Sequence, residues 1–566
     1  MTEPVPADTD ERAAAAAPEP SGTSGSEHGS ADGDLAGTGV DPVVRVLRIA
    51  VVVLGLFVLA TPIVATATGV RDGTMINGDE AVAAMLPVEF VRGGPDLVFP
   101  GNTYQGVLEV PAYAVLWWAA GPYELPMRLL HQAMWVAAVA VWAWLAIDVL
   151  GRARGSSARA RWWAALAVTG LLLVTSVAGW PVWFRIYPGY HLGALLAGLA
   201  VWVARGPDRT ARWFGAGALA GLAVYAQPMH GAGVVAVLVA AAVPAVIVLP
   251  WWRRIGATVL GVLLGASPLL LWNVRNSFAS LDSSAQPVQH PEWNYFDRAW
   301  NTIRLTGRAL WGDSATPLGA TSGLRFVAAA IVVGIGVVGV IALVRTGRRA
   351  WPLLSVVVVS LLGLPALGAL SLDADLRYAV GWWPGIVVLV AAGSVFLASA
   401  PSPAVRRVFE AVLCVGLAAH VAVVAAGAWS SVRDRTPAPS AEAATRNLAD
   451  DLRRCGVDAV AGDYWAVYPA VWGSDAELDG GVQFGPERLD DVAPASWADV
   501  ERIAVLPPPN VTDPLDAAAL VGSRTGREDA DWVSAAHPGT GARVVLEGPM
   551  SSLPEGCIGE TGLVRT

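Results

Sequence analysis

The 566-residue chain has no lysine, so all 38 of its Lys+Arg positions are arginine. That excludes Schiff-base chemistry on a lysine amine and a phosphate loop built around lysine, and leaves guanidinium to do the cationic work. Cysteine is scarce too. Cys414, Cys455 and Cys557 form no Cys-x-x-Cys pair and no Cys/His spacing suited to zinc or an iron–sulfur cluster. Charge of either sign is low at 15% of residues, against 54% hydrophobic and a mean hydropathy of +0.50. An ordinary soluble multidomain chain carries more charge, so this one belongs in a bilayer. Much of the acid behind the net charge of −9 lies in the two ends, and no basic patch suits nucleic acid.

Residues 1–42 are rich in Ala, Pro, Ser, Gly, Asp and Glu and hold almost no large apolar side chain. Such a segment cannot bury enough surface to offset chain entropy, and the expectation is a disordered cytoplasmic tail. Apolar runs then recur over roughly 43–68, 127–149, 162–183, 189–204, 213–227, 229–250, 255–273, 324–344, 351–371, 378–399 and 408–429. Most approach the ~20 residues that span a hydrocarbon core, and tryptophans cluster at many of their ends. The arginine clusters at 152–161, 205–212, 253–254, 345–349 and 406–407 fall in alternate loops. This predicts about eleven spans with the N-terminus inside and the C-terminus outside, provided that 107–120 does not cross. That segment is short, carries Glu109 and Pro111, and reads as a juxtamembrane or re-entrant helix.

The fold class expected is therefore a polytopic α-helical membrane protein with a transmembrane domain over 43–429, a first outer loop over 69–126, and an extracytoplasmic α/β domain over 430–566. In that last domain VDAVAGDYW and VERIAVLPPP read as buried strands among helical segments such as AEAATRNLADDLRRCG. Cys455 and Cys557 lie there, either as a disulfide or as two free thiols. GALAG (217–221) and GVLLG (261–265) have the small-xxx-small spacing that lets helices approach closely.

The polar residues of interest sit on the expected outer face. Asp79 and Glu80 follow the first span by about ten residues and open AVAAMLPVEFV, which reads as an amphipathic helix lying in the interface. A carboxylate there can act as general base toward a hydroxyl acceptor, or can simply serve as cap and first-turn acid of that helix. Arg185, Arg275 and Arg377 lie at the same depth and suit a phosphate whose lipid tail stays in the bilayer, or each anchors to lipid headgroups or pairs with a nearby acid such as Asp375. His191 and His230 also sit near outer ends of spans.

The stretch NGDEAVAAMLPVEFVRGGPDLVFPGNTYQGVLEVPAYAVLWWAAGP resembles the first outer loop of GT-C glycosyltransferases of the protein-mannosyltransferase and aminoarabinose-transferase type. Gly101, Tyr104, Gly106 and Glu109 keep the shape of that loop's second part. GLAVYAQPMH, LLGASPLLLWNVRNSFASL, LRYAVGWWPG and DYWAVYPAVW extend the resemblance over most of 44–475. It implies an inverting transfer of a sugar from a polyprenyl-phosphate donor to a glycan, lipid or protein acceptor on the outer face. Asp79 would be the base with Glu80 beside it. Tyr104, Glu109, Arg185, His191, Arg275, Arg377 and Tyr378 would form the substrate-binding set. No cofactor is expected, and a divalent metal is left open. In place of a second outer acid at the third or fourth span, this chain has Arg185-Ile-Tyr-Pro-Gly-Tyr-His191. Two other readings stand beside this one: a transporter or lipid-handling protein, and a non-catalytic envelope protein whose outer domain binds glycan or a partner.

Overall fold

The computed structural model describes residues 41–67, 78–92, 97–99, 104–121, 123–178, 186–243, 249–281, 293–311, 322–363, 366, 380–433, 441–475, 477–484, 494, 496–508, 511–537, 540, 542–555, 557 and 564–565. The chain divides into two units, Met1–Pro42 and Val43–Thr566. All but the last two residues of the first unit lie outside the described residues, and with them the expectation about the tail.

Each apolar run named above holds a helix. In chain order the helices are α1 (Pro42–Ala67), α2 (Gly78–Arg92), α3 (Val110–Ala120), α4 (Glu124–Arg154), α5 (Ala158–Ala178), α6 (Tyr190–Val203), α7 (Thr210–Ala226), α8 (Gly231–Ala242), α9 (Trp251–Gly265), α10 (Ser267–Arg275), α11 (Tyr295–Trp311), α12 (Ser322–Thr346), α13 (Trp351–Val358), α14 (Trp383–Ala398) and α15 (Pro403–Arg433). Among the described residues, four helical stretches are long and apolar enough to cross a membrane: Pro42–Ala60, Glu124–Arg154, Ala330–Gly363 and Val380–Ala398. A fifth arises if α9 and α10, bent by 59°, form one span.

The exposed stripe of α1 explains why this unit needs lipid. Val46, Ile49, Val53 and Phe57 share one face and all stand exposed, a pattern unfavourable in water and neutral against acyl chains. The opposite pattern appears on α4, where Trp135, Val139, Trp142, Ala146 and Val149 form a buried stripe in the main apolar core. α7 and α9 pack closely, with their GALAG and GVLLG segments facing each other. A Cβ at Gly217 would lie 2.1 Å from the Thr258 carbonyl oxygen, and one at Gly261 would lie 2.1 Å from that of Phe214. In lipid, where apolar burial gives helices no preference for each other, this backbone approach holds the pair.

The C-terminal part adds α16 (Ala441–Arg454), α17 (Tyr464–Gly473), α18 (Pro514–Thr525) and strands β1 (Ala459–Asp463), β2 (Asp479–Phe484), β3 (Ile503–Leu506), β4 (Trp532–Ala536), β5 (Arg543–Glu547) and β6 (Val564–Arg565). The sheet order is β2-β1-β3-β5-β4-β6. β1 runs parallel to β2 and β3, while the pairs β3–β5, β5–β4 and β4–β6 are antiparallel. Because helices cover both faces of its parallel part, β1 and β3 are buried throughout. The two expected strands thus fall within VDAVAGDYW and VERIAVLPPP. Cys455 and Cys557 are joined by a disulfide with Cα atoms 4.9 Å apart, tying the end of α16 to the C-terminal stretch across 102 residues.

Candidate functional site

The sheet domain and the helices meet at α2. Asp463 ends β1 and caps α17 by accepting the Trp465 amide at 3.1 Å. This cap puts Tyr464 at the first turn of α17, where its hydroxyl donates to Asp79 Oδ1 at 2.5 Å. Glycine at 78 allows the approach, since a Cβ there would lie 2.8 Å from Tyr464 Cε1. The first half of the interfacial helix expected from AVAAMLPVEFV is instead buried: Ala81 to Leu86 are at most 5% exposed, because α17 and α3 pack on α2, while Phe90 further along stands exposed.

Beside Asp79, Glu80 accepts two hydrogen bonds from Arg128 Nη2, each 3.1 Å, and the Ile186 amide at 2.9 Å. Arg128 also pairs with Glu124 one turn earlier on α4. The sheet domain closes this end of α4 as well, because Glu442 on α16 accepts the Glu124 amide at 3.4 Å, a carboxylate set at a helix N-terminus.

Residues 186–190 contain no carboxylate of their own, yet carboxylates from two other elements grip them. Glu80 holds the Ile186 amide, and Glu109 Oε2 accepts the Gly189 amide at 2.8 Å. Gln105 donates to the Pro188 carbonyl, and His230 Nε2 bonds the Tyr190 carbonyl at 2.7 Å. Glu109 also accepts from the Tyr113 hydroxyl at 2.8 Å, and that hydroxyl meets His131 Nε2. Burial raises the Glu109 carboxyl from 4.5 to about 7, against the lowering effect of its bonds to Gly189 and Tyr113.

Of the residues expected at the site, the structure brings Asp79, Glu80 and Glu109 to this junction. His191 is wholly buried, with its ring 5.6 Å from His131 and 5.3 Å from Trp135, so it packs inside α6 and α4. Tyr104 is half-buried one residue before Gln105. Arg275 is exposed at the end of α10 and makes no side-chain ion pair or hydrogen bond among the described residues. Arg185, Arg377 and Tyr378 lie outside the described residues.

Sequence reasoning passed over Arg128, His131, Tyr113 and Tyr464. A signal existed for the first two: Arg128, His131, Gln132 and Trp135 follow helical spacing and form a polar stripe at one end of an apolar span. Tyr464 stands within DYWAVYPAVW, one of the segments that carry the resemblance, but nothing local there points to its bond with a residue 385 positions away.

No protein-family model matches the chain, and no curated protein matches it. It is similar to the crystal structure of ArnT from Cupriavidus metallidurans in the apo state, with 14% identity and a TM-score of 0.49, covering 90% of this chain and 98% of that one. It is also similar to the crystal structure of ArnT from Cupriavidus metallidurans bound to undecaprenyl phosphate, again at 14% identity, with a TM-score of 0.47, covering 89% and 98%. Likeness at this level assigns no residue its role.

Proposed function

We propose that the chain is an inverting membrane glycosyltransferase that moves a sugar from a polyprenyl-phosphate donor to an acceptor hydroxyl on the outer face of the plasma membrane. In this topology about eleven spans carry the N-terminus inside and the sheet domain outside. The observation that supports it best is Asp79, held by a tyrosine of the sheet domain where that domain meets the ends of apolar helices. A lipid-borne donor and a water-borne acceptor can meet at such a junction.

Division of labour follows from the partners. Glu80 is bound to Arg128 and the Ile186 amide, so its lone pairs go to shaping the junction. Asp79 takes the base role. The acceptor oxygen attacks the anomeric carbon, the bond from that carbon to the phosphate oxygen breaks, and polyprenyl phosphate leaves with the electron pair. The acceptor proton passes to Asp79. Glu109, Gln105 and His230 hold residues 186–190 in place. Arg185, Arg275 and Arg377 are proposed to receive the donor phosphate, with Tyr378 and Tyr104 at the substrate.

The test is sugar transfer from a panel of radiolabelled polyprenyl-phosphate sugars by purified wild type and Asp79→Asn, with and without EDTA. Turnover lost in the variant upholds Asp79 as base, and the EDTA arm reports on metal. Wild type inactive with every donor would remove the proposal.

A further inference from the structure

The opposite ends of these helices build a second polar site, unconnected with the carboxylates. A cavity of about 520 Å³ opens between the C-terminal end of α4, the turn between α6 and α7, the end of α8 and the turn between α12 and α13. Arg152, Arg205, Arg212, Arg348 and Arg349 line it, with Asp208 as the acid among them. Asp148, just outside the lining, pairs with Arg152 at 2.8 Å and Arg205 at 2.5 Å, and Asp208 lies 3.7 Å from Arg212. Five guanidinium groups against these two carboxylates leave an excess of three positive charges. Arg348 and Arg349 are exposed and make no ion pair or side-chain hydrogen bond among the described residues. The remaining wall is apolar: Val149, Ala204, Trp213, Ala240, Val243 and Pro352.

An arginine rim over an apolar wall fits an amphiphile whose charged part is a phosphate. Guanidinium groups bind phosphate oxygens through paired donors, and the apolar wall takes the glycerol end and the roots of the acyl chains. Arg152 and Arg128 are 24 residues apart on one helix, or roughly 36 Å at 1.5 Å per residue. That exceeds the ~30 Å hydrocarbon core, so the cavity sits at the headgroup level of the leaflet away from Asp79. We infer that this cavity is a binding site for the phosphate of an anionic lipid headgroup.

Native mass spectrometry of the full chain in detergent tests it, with phosphatidylglycerol and phosphatidylcholine as probes. Wild type is expected to retain phosphatidylglycerol in preference, and Arg348→Ala/Arg349→Ala to lower that retention about thirtyfold. Arg348→Lys/Arg349→Lys should keep most of it. Arg406→Ala/Arg407→Ala, at the start of α15 and outside the cavity lining, should match wild type. A second arm adds inorganic phosphate. Phosphatidylglycerol unmoved by millimolar phosphate assigns the site to lipid, and displacement assigns the same site to free phosphate. Equal retention of the two lipids by wild type, or unchanged retention after Arg348→Ala/Arg349→Ala, overturns the inference.

Discussion

Two of the three arginines of α4, Arg128 near its start and Arg152 near its end, have opposite fates. Arg128 is 20% exposed and is bound by Glu80, itself 2% exposed, and by Glu124. Arg152 is 70% exposed and meets only the edge of the bundle through Asp148, one turn back on its own helix. One residue type on one helix is a structural bolt at the first end and an accessible cation at the second. The sheet domain makes the difference: it covers the α2–α4 junction and excludes water, so each carboxylate there must find a donor. At the other end nothing described covers the arginines of the α12–α13 turn.

Breaking the bolt should have the largest effect. Arg128→Met leaves Glu80 buried without its cation, expected to cost about 3–5 kcal/mol. Thermal unfolding of detergent-solubilised protein would show it, and adding Glu80→Gln should recover part of the loss. A melting temperature unchanged in Arg128→Met would dissolve the contrast.

Glu109 gives the junction a pH signature. Its folded pKa is raised, so between 4.5 and about 7 the folded state holds a proton that the unfolded state has released. Stability then falls as pH rises through that window, by up to about 3 kcal/mol, and is flat above it with respect to this group. Glu109→Gln should remove that slope from melting curves recorded between pH 5 and 8. A variant that keeps the wild-type slope would place the titration elsewhere.

Tyr464→Phe sharpens the comparison, because it tests whether the sheet domain serves the site or merely covers it. Loss of a hydrogen bond to a carboxylate costs about 1.5–3 kcal/mol, which should show in the melting temperature; if the hydroxyl also positions Asp79, transfer assayed well below that temperature should drop about tenfold or more. Full activity in the variant would reduce the sheet domain to a lid. At the other end, Arg152→Ala should cost the fold less than about 1 kcal/mol, as exposed pairs do; a loss as large as that of Arg128→Met would show that the two arginines do not differ in kind.

What the sequence disclosed follows from the range of the signal. Apolar period and turn residues are local, and they located the helices of the apolar runs and α16 as well as β1 and β3, but not α11, α17 or α18. GALAG and GVLLG could be recognised as close-packing segments, although not as partners, because pairing across some forty residues leaves no mark in either one. Asp79 and Glu80 stood out as acids beside an apolar run. Their partners, Arg128 at 48 positions and Tyr464 at 385, belong to tertiary structure. The amphipathic character assigned to α2 misled for the same reason: the covering helix α17 comes from another part of the chain.

The most direct test of the account is single-turnover transfer from a donor that wild type accepts, measured in proteoliposomes for wild type and Asp79→Asn at matched expression and melting temperature. The account predicts a rate lower by about a hundredfold or more in the variant. Transfer at the wild-type rate by Asp79→Asn would contradict it.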